Sequence, residues 1–551
     1  MTVVASSNTA TGEETSRSYD AVVVGAGFSG LYMLHKLRGL GLSARVFEAG
    51  SGVGGTWYWN RYPGARVDIE SQEYSYSFSP ELDEEWAWSE RYASQPELLR
   101  YLNHVADRFD LRPDIQFETR VVSATFDEAA NRWSVVTDRG ERISARYCVM
   151  ATGCLSVAKE PDFPGADTFT GKAYHTGHWP HEGVDFTGQT VAVIGTGSSA
   201  IQSIPQIADQ ASRVYVFQRT PNFSVPAHNG PRDPKLVEDW KLNRSEYRKR
   251  ARDSGFGILM VEQSEQPALE ATPEERRRAY EARWARGGFA LVGAFADLIH
   301  DKVANDTAVE FVADKIRSIV KDPVVAEKLV PKTYPIVTKR LCVDTGYYAT
   351  FNRDNVTLVD RNDEAIEAIT PTGVRTAKGD YKVDSIVYAI GFDAMTGALT
   401  NIDIRGRGGA LLKDQWAAGP RTYLGLMIAG FPNLFIVTGP GSPSVLCNMA
   451  VAIEQHVEWI SDCIAYMGQR QVGAIEATTQ AQDAWVAHVN EIADGTLFPL
   501  ANSWYIGANV PGKPRVFMPY IGGFAVYRQH CEEIAAKGYE GFALTSDAHA
   551  A

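Results

Sequence analysis

Ala21-Val22-Val23-Val24-Gly25-Ala26-Gly27-Phe28-Ser29-Gly30 decides the fold. A short run of apolar, largely β-branched residues enters a GxGxxG turn, and residues 31–40 continue at helical spacing. The pattern is strand, glycine turn, helix. Glycines at these positions let the backbone pass close to a pyrophosphate, which rests on the N-terminus of the following helix. The same order returns later in the chain. Val191-Ala192-Val193-Ile194 enters Gly195-Thr196-Gly197-Ser198-Ser199-Ala200, and residues 201–208 read as its helix. Ala200 in place of the third glycine is an allowed variant. One such motif is weak; two, each in its proper setting, are strong.

The residue ending the next strand separates the two sites. After the first turn, Arg45-Val46-Phe47 leads to Glu48, a carboxylate able to hold a ribose hydroxyl as FAD or NAD requires. After the second, Val214-Tyr215-Val216-Phe217-Gln218 leads to Arg219, a guanidinium suited to a 2′-phosphate. The first half therefore reads as a site for FAD or NAD and the second as a site for NADPH.

With 551 residues the chain has room for several domains, and 44% hydrophobic residues suffice for full cores. A net charge of −13 argues against nucleic acid as a partner. The six cysteines (Cys148, Cys154, Cys342, Cys447, Cys463 and Cys531) show neither a CxxC pair nor metal-ligand spacing, and read as reduced thiols of a cytoplasmic protein. No metal is expected. The most apolar stretch, 423–437, is broken by Gly425, Gly430 and Pro432 and is not expected to span a membrane.

The expected organisation is α/β: two interleaved, Rossmann-like dinucleotide-binding domains with a helical insertion. Residues 1–18 read as a disordered tail without the marks of a signal peptide. Residues 19–153 and 391–551 are expected to form the FAD domain, 154–225 and 336–390 the NADPH domain, and 226–335 the insertion. Within the insertion Thr272-Pro273-Glu274-Glu275 reads as a helix N-cap with its capping glutamate.

Two further stretches narrow the chemistry. Phe169-Thr170-Gly171-Lys172-Ala173-Tyr174-His175-Thr176-Gly177-His178-Trp179-Pro180 fits FxGxxxHxxxWP, and Gly55-Thr56-Trp57-Tyr58-Trp59-Asn60-Arg61-Tyr62-Pro63-Gly64-Ala65-Arg66-Val67-Asp68 fits GxWxxxxYPGxxxD. With the two glycine turns around them, these resemble the type I Baeyer–Villiger monooxygenases, FAD- and NADPH-dependent enzymes. Within that family the phenylacetone, steroid and cyclopentadecanone monooxygenases are the most similar. Val67 stands where members usually have cysteine.

The resemblance implies that NADPH reduces the flavin, dioxygen adds to give a C4a-peroxyflavin, and this attacks a hydrophobic ketone to give an ester or lactone. It implies catalytic roles for Arg340, as the cation that meets the developing negative charge, and for Asp68, which orients it; Asp68 could also cap residues 69–71. It places Gly25, Gly27, Ser29, Gly30, Glu48, Gly55, Thr56, Trp57, Asp68, Tyr74, Val121 and Met449 at FAD. It places Gly195, Thr196, Gly197, Ser198, Ser199, Gln202, Arg219, Thr220, Lys339, Arg340 and Trp504 at NADP. It lines the ketone pocket with Leu155, Val445, Leu446 and Met449. Composition alone would let Trp57 and Trp504 be plain core.

His175 invites an acid–base reading, but its place just before the second glycine turn favours a hinge or packing role. The rival enzyme class is a flavin monooxygenase acting on nitrogen or sulfur, which shares the glycine turns and the FxGxxxH core. A disulfide reductase would need a redox cysteine pair. A nucleotide-holding sensor would not need the Arg340–Asp68 set. A monomer or weak homo-oligomer is expected, with the ketone and O2 as its partners.

Overall fold

The computed structural model describes residues 17–546. The expected tail therefore lies outside the described residues up to position 16, while Arg17 and Ser18 already belong to the first strand, Arg17–Val24.

Two sheets organise the chain. The first has eight strands, in the order Asp403–Arg405, Val121–Asp127, Arg132–Thr137, Arg142–Met150, Arg17–Val24, Ala44–Phe47 and Ile115–Gln116, with Leu434–Ile436 also paired to Arg142–Met150. Its centre is parallel: Val24 lies opposite Phe47 on one side and Met150 on the other. Ala21, Val22 and Val23 are completely buried, as a central parallel strand covered on both faces requires. Strands 403–405 and 434–436 show that the chain returns to this sheet after building the second one.

The second sheet is fully parallel, in the order Val356–Asp360, Arg213–Gln218, Thr190–Ile194, Ser385–Tyr388 and Lys172–His175. The motif stretch around His175 is thus an edge strand of this sheet: His175 lies opposite Tyr388. In both sheets the glycine turn follows a central strand with the next strand of its unit on one side and a strand from later in the chain on the other. That is the point where an open α/β sheet binds ligands at its carboxyl edge.

Residues 226–335 contain four α-helices, Pro234–Arg252, Pro273–Arg286, Lys302–Ile319 and Pro323–Leu329. All four have a side-chain N-cap, from Asp233, Thr272, Asp301 and Asp322. The capping box read at Thr272 is formed: Glu275 N–H donates to Thr272 Oγ1, and Thr272 N–H to the Glu275 carboxylate. Between these helices run irregular stretches that matter below, including the tight 3₁₀ segment Gly288–Gly293. Among the described residues, no helix is long and apolar enough to cross a membrane.

Candidate active site

The first glycine turn is shaped by close backbone approach. Gly25 has φ +104°, and a Cβ there would lie 2.6 Å from the Ala151 carbonyl oxygen. A Cβ on Gly30 would meet the Gly25 carbonyl at 1.8 Å. Gly27 caps the helix Phe28–Gly39 without a side-chain hydrogen bond, and no acid occupies its first turn. Its backbone N–H groups are left for an anion, unlike those of the insertion helices. Ser29 is buried in this first turn. Glu48, buried at the end of Ala44–Phe47, accepts hydrogen bonds from the N–H groups of Ala26 (2.7 Å) and Gly50 (2.8 Å). Burial pushes its carboxyl up and those N–H groups pull it back. Thr119 N–H donates to the Glu48 carbonyl, so the segment leading to buried Val121 runs beside it.

The second half repeats the device. Gly195 has φ +120°, and a Cβ there would lie 2.3 Å from the Ala389 carbonyl oxygen. Gly197 caps Ser198–Gln210, again with no side-chain hydrogen bond and no acid in the first turn. Thr196 Oγ1 donates to the Thr220 carbonyl (2.8 Å), fixing the turn against the loop that carries Arg219. Ser198 and Ser199 contact Cys342 and Thr176 through their hydroxyls. Lys339 stands with its Nζ 4.4 Å from the Tyr334 ring centre, and burial together with Arg219 lowers its pKa to about 8. The two expected 2′-phosphate cations are therefore near one another.

Gln202, also expected at NADP, makes a contact of another kind. Its amide is engaged by the loop that follows the first glycine turn: Tyr62 Oη donates to Gln202 Oε1 (2.8 Å), and Gln202 Nε2 donates to the Arg66 carbonyl (3.1 Å). Gly64 closes on the same helix, where a Cβ would meet the Gln202 carbonyl at 2.3 Å. The GxWxxxxYPGxxxD loop thus docks on the second glycine-turn helix. Gly55 begins this loop, packed against Gly27; Thr56 is exposed, and Trp57 stands edge-on to Tyr74 at 5.9 Å. Val67 is buried in the main core.

The loop ends at Asp68, which grips Arg340. Arg340 Nε donates to Oδ2 (2.9 Å) and Nη2 to Oδ1 (2.8 Å), while Nη1 donates to the Val445 carbonyl (2.8 Å). Its Cζ lies 4.7 Å from the Phe289 ring centre. Burial opposes the charge of Arg340, but Asp68 carries its pKa above the ordinary arginine value. The Tyr505 hydroxyl also reaches Arg340, and burial pushes that phenol up to about 12.

Arg340 lines an apolar cavity of about 70 Å³. Of the pocket residues expected from the sequence, Leu446 lines it, whereas Val445, Met449 and Leu155 belong to the apolar cluster beside it, with Trp504. Phe256, Ile258, Phe289, Val292, Phe498 and Tyr505 supply much of the wall. Sequence reading missed all six. Four come from the irregular parts of the insertion, where no periodicity marks a side chain as pocket-facing.

His175 is not at this cavity wall. Its Nδ1 accepts the Gly177 N–H (2.9 Å), its Nε2 is buried without a partner, and burial, helped by His178 and Lys159, lowers its pKa to about 4. All six cysteines are buried and free.

Comparison with known proteins decides the family. Residues 22–247 match the pyridine nucleotide-disulphide oxidoreductase model. A Baeyer-Villiger monooxygenase of Pseudooceanicola batsensis is 45% identical over 527 residues, covering 95% of both chains. The chain belongs to the Baeyer–Villiger monooxygenases. A solved structure titled oxidized steroid monooxygenase bound to NADP superposes with a TM-score of 0.92 at 55% identity, over 96% of this chain and 100% of that one. A phenazine N-monooxygenase of Lysobacter antibioticus is 43% identical over 533 residues, 96% of this chain and 97% of its own. As a Baeyer–Villiger monooxygenase the chain is an NADPH-dependent FAD enzyme that oxygenates ketones, with FAD and NADPH as cofactors. The uncapped helix N-termini, the turns too tight for a Cβ and the opposite charges of Glu48 and Arg219 fit those two groups.

Proposed function

We propose that this monooxygenase converts apolar ketones without charged substituents into esters or lactones at the cavity beneath Arg340. The observation that carries this reading is the bidentate Arg340–Asp68 pair at the wall of an otherwise uncharged pocket. Bound FAD, reduced by NADPH, supplies the activated oxygen. Arg340 supplies a fixed positive charge where negative charge develops on the oxygen reacting at a carbonyl. A guanidinium keeps its proton, so it stabilises that charge without quenching it. Asp68, Val445 and Phe289 hold it in place, so little reorganisation is needed during reaction. The aromatic wall excludes water and accepts an apolar substrate.

The remaining roles follow the same logic. The helix starting at Phe28 and Glu48 hold FAD, with Trp57, Tyr74, Val121 and Met449 around it. The helix starting at Ser198, with Arg219, Thr220 and Lys339, holds NADPH, and Trp504 stands toward its nicotinamide end. Gln202 serves by joining the halves. Six free thiols suit a cytoplasmic enzyme, working as a monomer or weak homo-oligomer.

A second reading, oxygen transfer to a ring nitrogen, is favoured by the phenazine N-monooxygenase relative. Product analysis separates the two. Holoenzyme is given NADPH and a panel of cyclic, aryl and bulky polycyclic ketones beside an aromatic N-heterocycle. Ester or lactone formed nearly one per NADPH is the expected result; N-oxide with uncoupled NADPH loss on every ketone would overturn it.

A further inference from the structure

Arg219 stands among three other cations drawn from separate parts of the chain. Strand Val356–Asp360 runs parallel to Arg213–Gln218 with Asp360 opposite Gln218, and Arg361 N–H donates to the Gln218 carbonyl at 2.7 Å. The two arginines therefore leave adjacent strand ends side by side. Lys159 N–H donates to the Gly391 carbonyl (3.0 Å), which sets it just past the end of Ser385–Tyr388 in the same sheet. Lys339 completes the group from above Tyr334. Lys159, Lys339 and Arg361 are each depressed by burial and by repulsion from Arg219.

Little on the protein answers this charge. Asp162 and Asp393 offset Lys159 in part, but Asp393 is held by Lys513 at 2.5 Å, and Asp363 is held by Lys328 at 2.9 Å. Arg361 lies over Phe163 with its Nε buried and without a partner. Asn362 Nδ2 donates to the Arg219 carbonyl (2.8 Å), fixing the loop between the two arginines. Three cations gathered around Arg219 on a protein of net charge −13 repel it at a cost that a bound anion would offset. A phosphate monoester, carrying about −1.5 to −2 near neutral pH, is that kind of anion.

We propose that Lys159 and Arg361 are specificity-determining residues for the 2′-phosphate of NADPH, completing a four-cation cradle with Arg219 and Lys339. The inference rests on the reading that Arg219 and Lys339 face that phosphate. It assigns NADPH selection to the whole carboxyl edge of the second sheet rather than to its glycine turn alone.

The test is calorimetric titration of the oxidised flavin holoenzyme with adenosine 2′,5′-bisphosphate and with 5′-AMP, which differ by the phosphate in question. Lys159→Gln and Arg361→Gln should each weaken bisphosphate binding about three- to tenfold, and together by more than either, with 5′-AMP unchanged. The dependence of log Kd on log salt should become shallower with each charge removed. Lys159→Arg and Arg361→Lys, which keep the charge, should retain most of the affinity. Full bisphosphate affinity in the double glutamine variant overturns the proposal, as does an equal loss for both nucleotides. Arg219→Gln with Lys339→Gln is the reference: no loss there would mean that the underlying phosphate assignment has failed instead.

Discussion

Asp68 presents both carboxylate oxygens edge-on to Arg340, at 2.8 to 2.9 Å, from 272 positions away in sequence. The planar fork of an arginine matches a carboxylate in this way, and a lysine does not. The pair leaves Nη1 for the Val445 carbonyl, so the guanidinium is held on two edges and one face.

Arg340→Ala should keep both cofactors and lose product. One preorganised group that meets developing negative charge is commonly worth about 10²–10³ in rate. Slow NADPH oxidation should continue and end in hydrogen peroxide. Arg340→Lys should not restore ester formation, because a point charge on a flexible stem does not reproduce the fork. Ester yield per NADPH is the measurement, and normal coupling in the alanine variant would remove Arg340 from its assigned role.

The two glycine turns should fail separately. Gly25→Ala drives a methyl to 2.6 Å from the Ala151 oxygen at φ +104°, and Gly195→Ala to 2.3 Å from the Ala389 oxygen at φ +120°. The first variant should purify colourless or lose its flavin on dialysis. The second should stay yellow while its flavin is no longer reduced by NADPH. Absorbance spectra with and without NADPH check both; the reverse assignment would exchange the roles of the two halves.

NADPH affinity should depend on pH through Lys339. Burial and Arg219 lower its pKa to about 8 in the nucleotide-free protein, and the phosphate binds the protonated form. Affinity should therefore be level below about pH 8 and fall above it, as binding has to restore the proton. Lys339→Gln should bind more weakly and flatten that limb. Kd values measured from pH 7 to 9.5 test this. An unchanged limb in the variant would assign the titration to another group.

His175 should matter for geometry and acid stability. Its folded pKa is lowered from 6.5 to about 4, so the unfolded chain takes up a proton that the folded chain refuses. Its contribution to stability is present above about 6.5 and is lost as pH falls toward 4. His175→Gln should reduce this part of the acid sensitivity in denaturant titrations. His175→Ala should slow flavin reduction without moving the pH–rate profile; loss of one limb of that profile would make His175 an acid or base.

The legible parts of the chain were those where one backbone task demands one residue type. Gly25 and Gly195 need positive φ beside a carbonyl, and Glu48 and Arg219 follow at the ends of the next strands. The likeness of residues 55–68 and 169–180, with the two glycine turns, to a known family pointed to Asp68 and Arg340, and the fold brings those two together. The cavity wall was hidden, because Phe256, Ile258, Phe289 and Val292 lie in irregular backbone, where an apolar residue looks the same in a core and in a pocket. Lys159 and Arg361 were hidden for another reason. Each is an ordinary surface cation in sequence, and only strand order places it beside Arg219. Gln202, which the family resemblance places at NADP, also hydrogen-bonds through its amide to Tyr62 and Arg66, a contact between distant segments that only the fold reveals.

The docking of residues 62–66 on the Ser198 helix has a consequence for the charged pair. Asp68 ends the loop that docks on the helix Ser198–Gln210, and Arg340 lies just before the strand Cys342–Asp344, which pairs with Ser224–Pro226, so the charged pair depends on how these two segments sit against each other. Sliding them apart from about 4 to 8 Å between charges would forfeit roughly 2 kcal/mol of attraction at an effective dielectric constant near 20. The Arg340–Asp68 pair thus doubles as a clamp between segments 272 positions apart, and the contacts that join those segments are the ones that aim the site's fixed cation.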